Sequence, residues 1–294
     1  MSKKKHNKNK MPKRPTHFGT PVECVRWIKK SVYLIARGRA LNPEKPDQLE
    51  WFTIGTGCIV SPNRMITAAH VINDIKDTNE LKQHKQGDKY YLIKCDDEGN
   101  WHYRFFTPEL DKSLFVYSEI DLAVLYLEEE FYQDGDKIYA LKDDYIRIDQ
   151  KFRMIGTEIA VLGYPLCKLD FNDSDVNKPK LGNILIRIDS GVINSRYLIA
   201  NNIYRYEFTI AFNPGNSGGP IFDWRTGQLL SIVHGFKAVP INMSEHILSE
   251  KEKKSADIKE YTEKSFVDVV HANYSVGYAT PSFVGTFKLH GIIS

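Results

Sequence analysis

The chain has 294 residues, 42% hydrophobic and 26% charged, with a formal net charge of +3 at pH 7. Such a length buries a large core, and such a composition excludes a largely disordered or fibrous protein. The charge argues against nucleic-acid binding, because residues 1–14 hold seven Lys or Arg and no acid, which leaves the remainder at −4. A basic, polar, non-periodic arm over residues 1–19, expected to be disordered, precedes a mildly acidic body.

The first apolar run, Val32 to Ala36, is short and flanked by Lys29, Lys30, Arg37 and Arg39. It is no secretory leader, and no apolar stretch of about 18 residues predicts a spanning helix. The sequence reads as soluble and cytoplasmic.

A helix is expected from Pro21 to about Lys30, with Thr20 as N-cap and Val22, Val25 and Ile28 at helical spacing. Short runs rich in β-branched and aromatic residues follow: Ser31–Ala36, Trp51–Ile54, Gly57–Val60, Tyr90–Lys94, Asp121–Leu127, Glu158–Gly163, Ile184–Ile188, Arg205–Ile210 and Leu229–Val233. Turn formers such as Pro62-Asn63, Gly87-Asp88 and Gly99-Asn100 separate them, so the pattern is all-β, of barrels or sandwiches. A charged stretch from about Ser244 to Val270 carries Ser249-x-x-Glu252, a capping-box spacing, and reads as a helical insertion before the last strand. Cys24, Cys58, Cys95 and Cys167 lack the close pairs of a zinc site. They are expected to be free, buried thiols, and no metal or cofactor is implied.

The octapeptide Asn213-Pro-Gly-Asn-Ser-Gly-Gly-Pro220 lies between two apolar runs. Acyl transfer by a serine needs an exposed hydroxyl and backbone N–H groups converging on the developing oxyanion. Gly215 can adopt a conformation closed to other residues and turn its N–H inward with that of Ser217. Upstream, Thr67-Ala-Ala-His70 ends a strand, its small alanines permitting tight packing behind the imidazole. Asp121 opens the apolar run Asp-Leu-Ala-Val-Leu-Tyr-Leu, which places a carboxylate at the entrance of a buried strand. Such a carboxylate needs partners, and a histidine N–H is one. Asp111 and Asp136 are rivals by position only, since neither opens a comparable strand.

The order His70, Asp121, Ser217 with these flanks resembles that of trypsin-like peptidases. More narrowly, TGCIVSPNRMITAAHVI, DLAVLYL, NPGNSGGPIFDWRTGQLLSI and VGYATP are similar, in order, to motifs of the HtrA/Deg branch over about residues 31–285. The resemblance implies a chymotrypsin-like double six-stranded β-barrel. Residues 20–140 would form the half with the histidine and aspartate, and 141–294 the half with the serine. It implies a serine endopeptidase in which His70 is base and then acid, Asp121 orients it, Ser217 is the nucleophile, and Gly215 and Ser217 supply the oxyanion donors. The pocket floor falls on Ala211. With Phe212 and Asn213 facing Ile232 and His234, this suggests small or aliphatic residues before the scissile bond in a protein or peptide substrate.

HtrA proteins usually continue into PDZ domains, which this chain lacks after Pro281, and Val71 stands where secreted trypsins have a disulfide cysteine. Longer segments, Asn73–Lys94, Lys168–Lys180 and the insertion 236–274, exceed a minimal protease, and the last is a candidate docking element for a regulatory protein. The alternatives are a non-proteolytic scaffold on a protease fold and an esterase-type hydrolase. The first usually loses a triad member, and the second usually carries Gly-x-Ser-x-Gly in a different residue order. Oligomeric state is not legible.

Overall fold

The computed structural model describes residues 15–42, 45–72, 89–95, 101–106, 113–127, 131–133, 136–138, 145–165, 186–200, 202–210, 212–213, 215–240 and 271–294. The expected basic arm up to residue 14, the segment Lys168–Lys180, the helix at 244–270, Cys167 and Ala211 lie outside these residues.

A first antiparallel sheet is built from β1 (Val32–Asn42), β2 (Lys45–Ser61), β3 (Arg64–Ala68), β4 (Lys89–Cys95), β5 (Trp101–Phe106), β6 (Leu114–Tyr117), β7 (Leu122–Tyr126), β8 (Phe131–Gln133) and β9 (Asp136–Ile138). Its order is β6-β7-β3-β2-β1-β4-β5-β8-β9. The second comprises β10 (Arg147–Ile148), β11 (Glu158–Gly163), β12 (Arg187–Ala200), β13 (Ile203–Phe208), β14 (Pro220–Asp223), β15 (Gln228–Ile232), β16 (Gly235–Pro240) and β17 (His271–Tyr278). Its order is β10-β15-β14-β11-β12-β13-β17-β16. The all-β expectation holds, and the two halves are those of a chymotrypsin-like fold. Among the described residues the sheets carry nine and eight strands, several only two or three residues long, and neither closes by hydrogen bonds into a six-stranded barrel.

The N-terminal helix, α1 (Pro21–Ile28), starts as its sequence requires. Thr20 Oγ1 accepts from Glu23 N at 3.3 Å, and the Glu23 carboxylate reaches back to Gly19 N at 3.0 Å, satisfying donors that the helix itself leaves free. Of the expected stripe, Ile28 is enclosed and Val25 packs half-buried against the core, whereas Val22 is 60% exposed and Cys24 is enclosed instead. Residues four apart share a face, and here the sheet covers the Cys24–Ile28 stripe.

Two runs read as separate strands, Trp51–Ile54 and Gly57–Val60, are parts of the single 17-residue β2. Gly55 and Gly57 do not turn the chain. They let neighbours close in, since a Cβ on Gly57 would meet Met65 Sδ at 2.7 Å and one on Gly55 would meet Val71 at 2.7 Å. In β7, which lies between β6 and β3, Leu122, Ala123, Val124 and Leu125 are all buried, as a continuous apolar run enclosed on both faces should be. Cys24 and Cys58 are fully buried thiols outside any disulfide, and burial pushes the Cys58 thiol far above its ordinary range.

A closing helix that no sequence signal announced, α3 (Val284–Leu289), carries Phe287 into the main core beside Phe283. At its end, buried His290 joins the first sheet: Nε2 lies 2.6 Å from Tyr117 Oη and Nδ1 2.8 Å from Tyr126 Oη. A neutral imidazole has one N–H donor and one acceptor, so one phenol donates and the other accepts. Burial and the nearby Arg64 cation hold His290 below its ordinary value of about 6.5.

The folded state therefore disfavours the protonated ring, and stability that is present above about pH 6.5 declines as the pH falls below it. His290→Ala is expected to cost about 1 kcal/mol in denaturant unfolding at pH 7, since the half-buried Tyr117 and Tyr126 phenols each lose a partner. Thermal melts of this variant should lose less stability than wild type as the pH falls below about 6.5, because the variant has no ring whose protonation the fold opposes.

Candidate active site

Asp121 follows a single 3-10 turn, Ser118–Ile120, and takes the left-handed conformation with φ 46° and ψ 45°. Aspartate tolerates that region better than most residues, and the turn delivers a carboxylate at the head of a buried strand. Across the sheet, β3 runs into the one-turn helix α2 (Ala69–Ile72), whose second residue is His70. Three bonds fix the two together. Ala69 N donates to Asp121 O at 3.0 Å, His70 N to Asp121 Oδ1 at 2.8 Å, and His70 Nδ1 lies 2.7 Å from Asp121 Oδ2.

His234, read from the sequence as a pocket wall, also places its Nδ1 in a short contact with Asp121 Oδ2. Its ring lies 6.1 Å from that of His70, centroid to centroid, with the planes at 71°. Burial opposes ionisation of Asp121, but hydrogen bonds from His234 and His70, with their charge interactions, outweigh it and hold the carboxyl well below the usual range. An ionised carboxylate only accepts, so both histidines carry Nδ1–H and leave Nε2 without its proton when neutral. The His70 side chain is 42% exposed, against 10% for Asp121, so its outer edge is open to solvent while its inner edge is fixed.

The two histidines and the carboxylate offer donor atoms within 4.8 Å of one another, the inventory of a small metal site. The separations favour protons. A tetrahedral ion with bonds near 2.0–2.1 Å keeps neighbouring ligand atoms about 3.3 Å apart, wider than the 2.7 Å between His70 Nδ1 and Asp121 Oδ2.

Ser217 comes from the other half, in the turn before β14. Gly215 has φ 94° and Gly218 φ 80°, conformations that L side chains rarely adopt. A Cβ on Gly218 would lie 2.0 Å from Thr67 Oγ1 and 2.2 Å from Thr56 O, so only glycine lets this turn press against the strand that leads to His70. Gly218 N donates to Val233 O at 2.7 Å, and Asn216 N to Asn213 O at 3.0 Å. Among the described residues, the N–H groups of Gly215 and Ser217 have no protein acceptor, nor does the Ser217 hydroxyl have a partner.

Thr56 ties this turn to the first sheet, a role the sequence reading did not give it. Its N–H donates to Ser217 O at 2.8 Å and its hydroxyl to Gly215 O at 2.8 Å, while the same hydroxyl accepts from Tyr164 N at 3.0 Å. Thr67 Oγ1 donates in turn to Thr56 O at 2.7 Å. Gly55, one residue earlier, touches both sides of the site: a Cβ there would meet Val71 at 2.7 Å and Ser217 O at 3.0 Å. Of the other pocket residues, Phe212 packs on the second core cluster and Asn213 is exposed. Ile232, at 2% exposure, is core packing behind the site.

The profile of the trypsin-like peptidase domain matches residues 55–232. The chain belongs to the trypsin-like peptidase family. It is accordingly a trypsin-like serine endopeptidase, with a hydrolase's protein or peptide substrate. Similar solved structures are an inactive form of the Rv3671c protease (18% identity, TM-score 0.48, 94% of this chain and 98% of that one) and Deg5 (16% identity, TM-score 0.46, 72% and 83%). No helix among the described residues is long and apolar enough to cross a membrane.

Thr56→Val keeps the shape of the side chain but takes the Thr56 hydroxyl away from the half-buried Gly215 O and the buried Tyr164 N. It should cost about 1–3 kcal/mol in denaturant unfolding. It should also lower kcat/KM more than tenfold on a peptide substrate, because the nucleophile turn loses its tether; unchanged kinetics at reduced stability would remove Thr56 from the site.

Proposed function

We propose that this peptidase, of HtrA/Deg type by its motifs, cleaves through an acyl-enzyme formed on Ser217, with His70 and Asp121 completing the triad. The observation that carries the reading is the His70–Asp121 pair, fixed by a backbone and a side-chain bond to one buried carboxylate. With its Nδ1 proton held inward, His70 keeps Nε2 free on its exposed side to take the Ser217 proton. The new Ser217 Oγ–carbonyl bond places negative charge on the former carbonyl oxygen, where the Gly215 and Ser217 N–H groups are the available donors. The imidazolium then hands its proton to the leaving amine. Water repeats the sequence to release the acid.

Asp121 stays ionised throughout and stabilises the imidazolium. The environment favours this, since the hydrogen bonds that hold its carboxyl low also prevent it from accepting the proton. The pocket reading rests on sequence: no carboxylate stands at Ala211 to bind a basic side chain, so small or aliphatic residues are preferred before the scissile bond. Buried thiols outside any disulfide, as at Cys24 and Cys58, suit a reducing, cytoplasmic setting. The insertion 236–274 remains our candidate docking element for a regulatory partner.

A fluorophosphonate probe should label the wild-type protein and leave Ser217→Ala unlabelled; labelling that survives the substitution refutes the assignment of the nucleophile. Asp121→Asn, which removes the charge and disturbs the histidine tautomer, should lower kcat by about 10⁴-fold, the loss seen when the corresponding triad aspartate is replaced in trypsin. A peptide library read by mass spectrometry should show cleavage after small or aliphatic residues, and a dominance of Lys or Arg would overturn the pocket reading.

A further inference from the structure

Asp121 serves two histidines. Its Oδ1 accepts from the His70 main chain, and its Oδ2 accepts from the ring of His70 and from the ring of His234. The two rings come from different sheets, so the carboxylate is gripped from both halves of the molecule. Because Asp121 is buried, removing His234 would leave one lone pair of Oδ2 facing protein with no donor in place.

His234 is itself held from behind. Its ring meets the Tyr278 ring at 5.0 Å with an interplanar angle of 63°. Arg205 donates from Nη2 to Tyr278 Oη at 2.8 Å and stacks its guanidinium 4.7 Å from the Tyr278 ring centre. Tyr278 Oη also approaches Glu119 O at 3.5 Å, on the turn that leads into Asp121. The groups facing His234 are therefore Asp121 and His70 from the first sheet and Tyr278 from the second, with the Arg205 cation behind Tyr278. Among the described residues only Asp121 supplies negative charge there, and His70 draws on the same charge.

We propose that His234 is a positioning residue of the hydrolytic site, holding the Asp121 carboxylate in place for His70 and setting the pH below which His70 is lost as a base. The proposal rests on the triad reading above. It has two physical parts. A third donor to the carboxylate fixes its orientation, which keeps the His70 ring aimed during proton transfer. The same donor takes up part of the carboxylate's charge, and if His234 itself becomes cationic the two rings repel across 6.1 Å. The charge part alone opposes protonation of His70, so removal of His234 is expected to move the acid limb of activity upward.

The test compares wild type, His234→Ala and His234→Asn in peptide hydrolysis from about pH 5 to pH 9, the range of histidine titration, together with histidine side-chain ¹⁵N spectra. His234→Ala should lower kcat about tenfold or more with KM little changed. Its acid limb should rise by about half to one pH unit. His234→Asn, which keeps an N–H donor near the position of Nδ1, should recover most of kcat. The spectra should show His234 as the Nδ1–H tautomer in wild type, and Asp121→Asn should abolish that preference. An unchanged kcat and acid limb in His234→Ala overturns the proposal, as does a loss that the asparagine variant fails to recover. A wild type that never labels at Ser217 removes the triad reading and the positioning role with it, whatever the spectra show. A labelled wild type whose His234 lacks the Nδ1 proton overturns this proposal alone.

Discussion

A buried negative charge is the constraint around which the rest of the molecule is arranged. Asp121 sits at the mouth of β7 in a left-handed conformation, enclosed by protein, and a carboxylate in that position is tolerable only if several donors converge on it. Those donors are costly to assemble. One is the main chain of α2, one is the ring that α2 carries, and one is a ring from the far sheet. Meeting the demand brings β3, β7 and the end of β15 to one point, which is where a cleft between two sheets places reactive side chains.

The nucleophile turn meets a different requirement, that of close approach. Gly218 lies against Thr56 and Thr67 at distances that exclude any side chain, and the positive φ values of Gly215 and Gly218 set the course of the chain around Ser217. Thr56 then spends every polar group it has on this junction: its N–H and hydroxyl go to the turn, and its carbonyl receives Thr67. Electrostatics thus organises the histidine side of the site and packing organises the serine side. The short segment Gly55–Thr56 joins the two, with Gly55 touching both Val71 and Ser217 O.

His290 shows the same economy at a distance from the chemistry. Placing a neutral imidazole between two phenols ends the chain on the first sheet, and the two aromatic residues before it, Phe283 and Phe287, fill the core that both halves share. Because both the His290 ring and the Asp121 carboxylate are held in their less protonated forms, acid destabilises the fold at two separate places and over two separate pH ranges.

Short runs of β-branched residues, the glycines of Asn213–Pro220 and the apolar stretch behind Asp121 were enough to read an all-β protein and to select His70, Asp121 and Ser217, because local residue type limits what backbone and side chain can do. The capped start of α1 was legible for the same reason, since a cap is a contact between residues three apart. What sequence could not reach were contacts whose partners are far apart along the chain. The runs Trp51–Ile54 and Gly57–Val60 read as two strands but belong to one, in which Gly55 and Gly57 serve close packing. Thr56 gave no signal, because its hydroxyl finds Gly215 O 159 positions later. His234 was placed beside the pocket by its position in the chain, yet its ring turns to Asp121, 113 positions earlier. Chain-local chemistry therefore determined the fold class and the candidate catalytic residues. Only tertiary structure decided which face of α1 is buried, how the nucleophile turn is tied down and that two histidines share one carboxylate, since each depends on groups that meet only when the two sheets pack together.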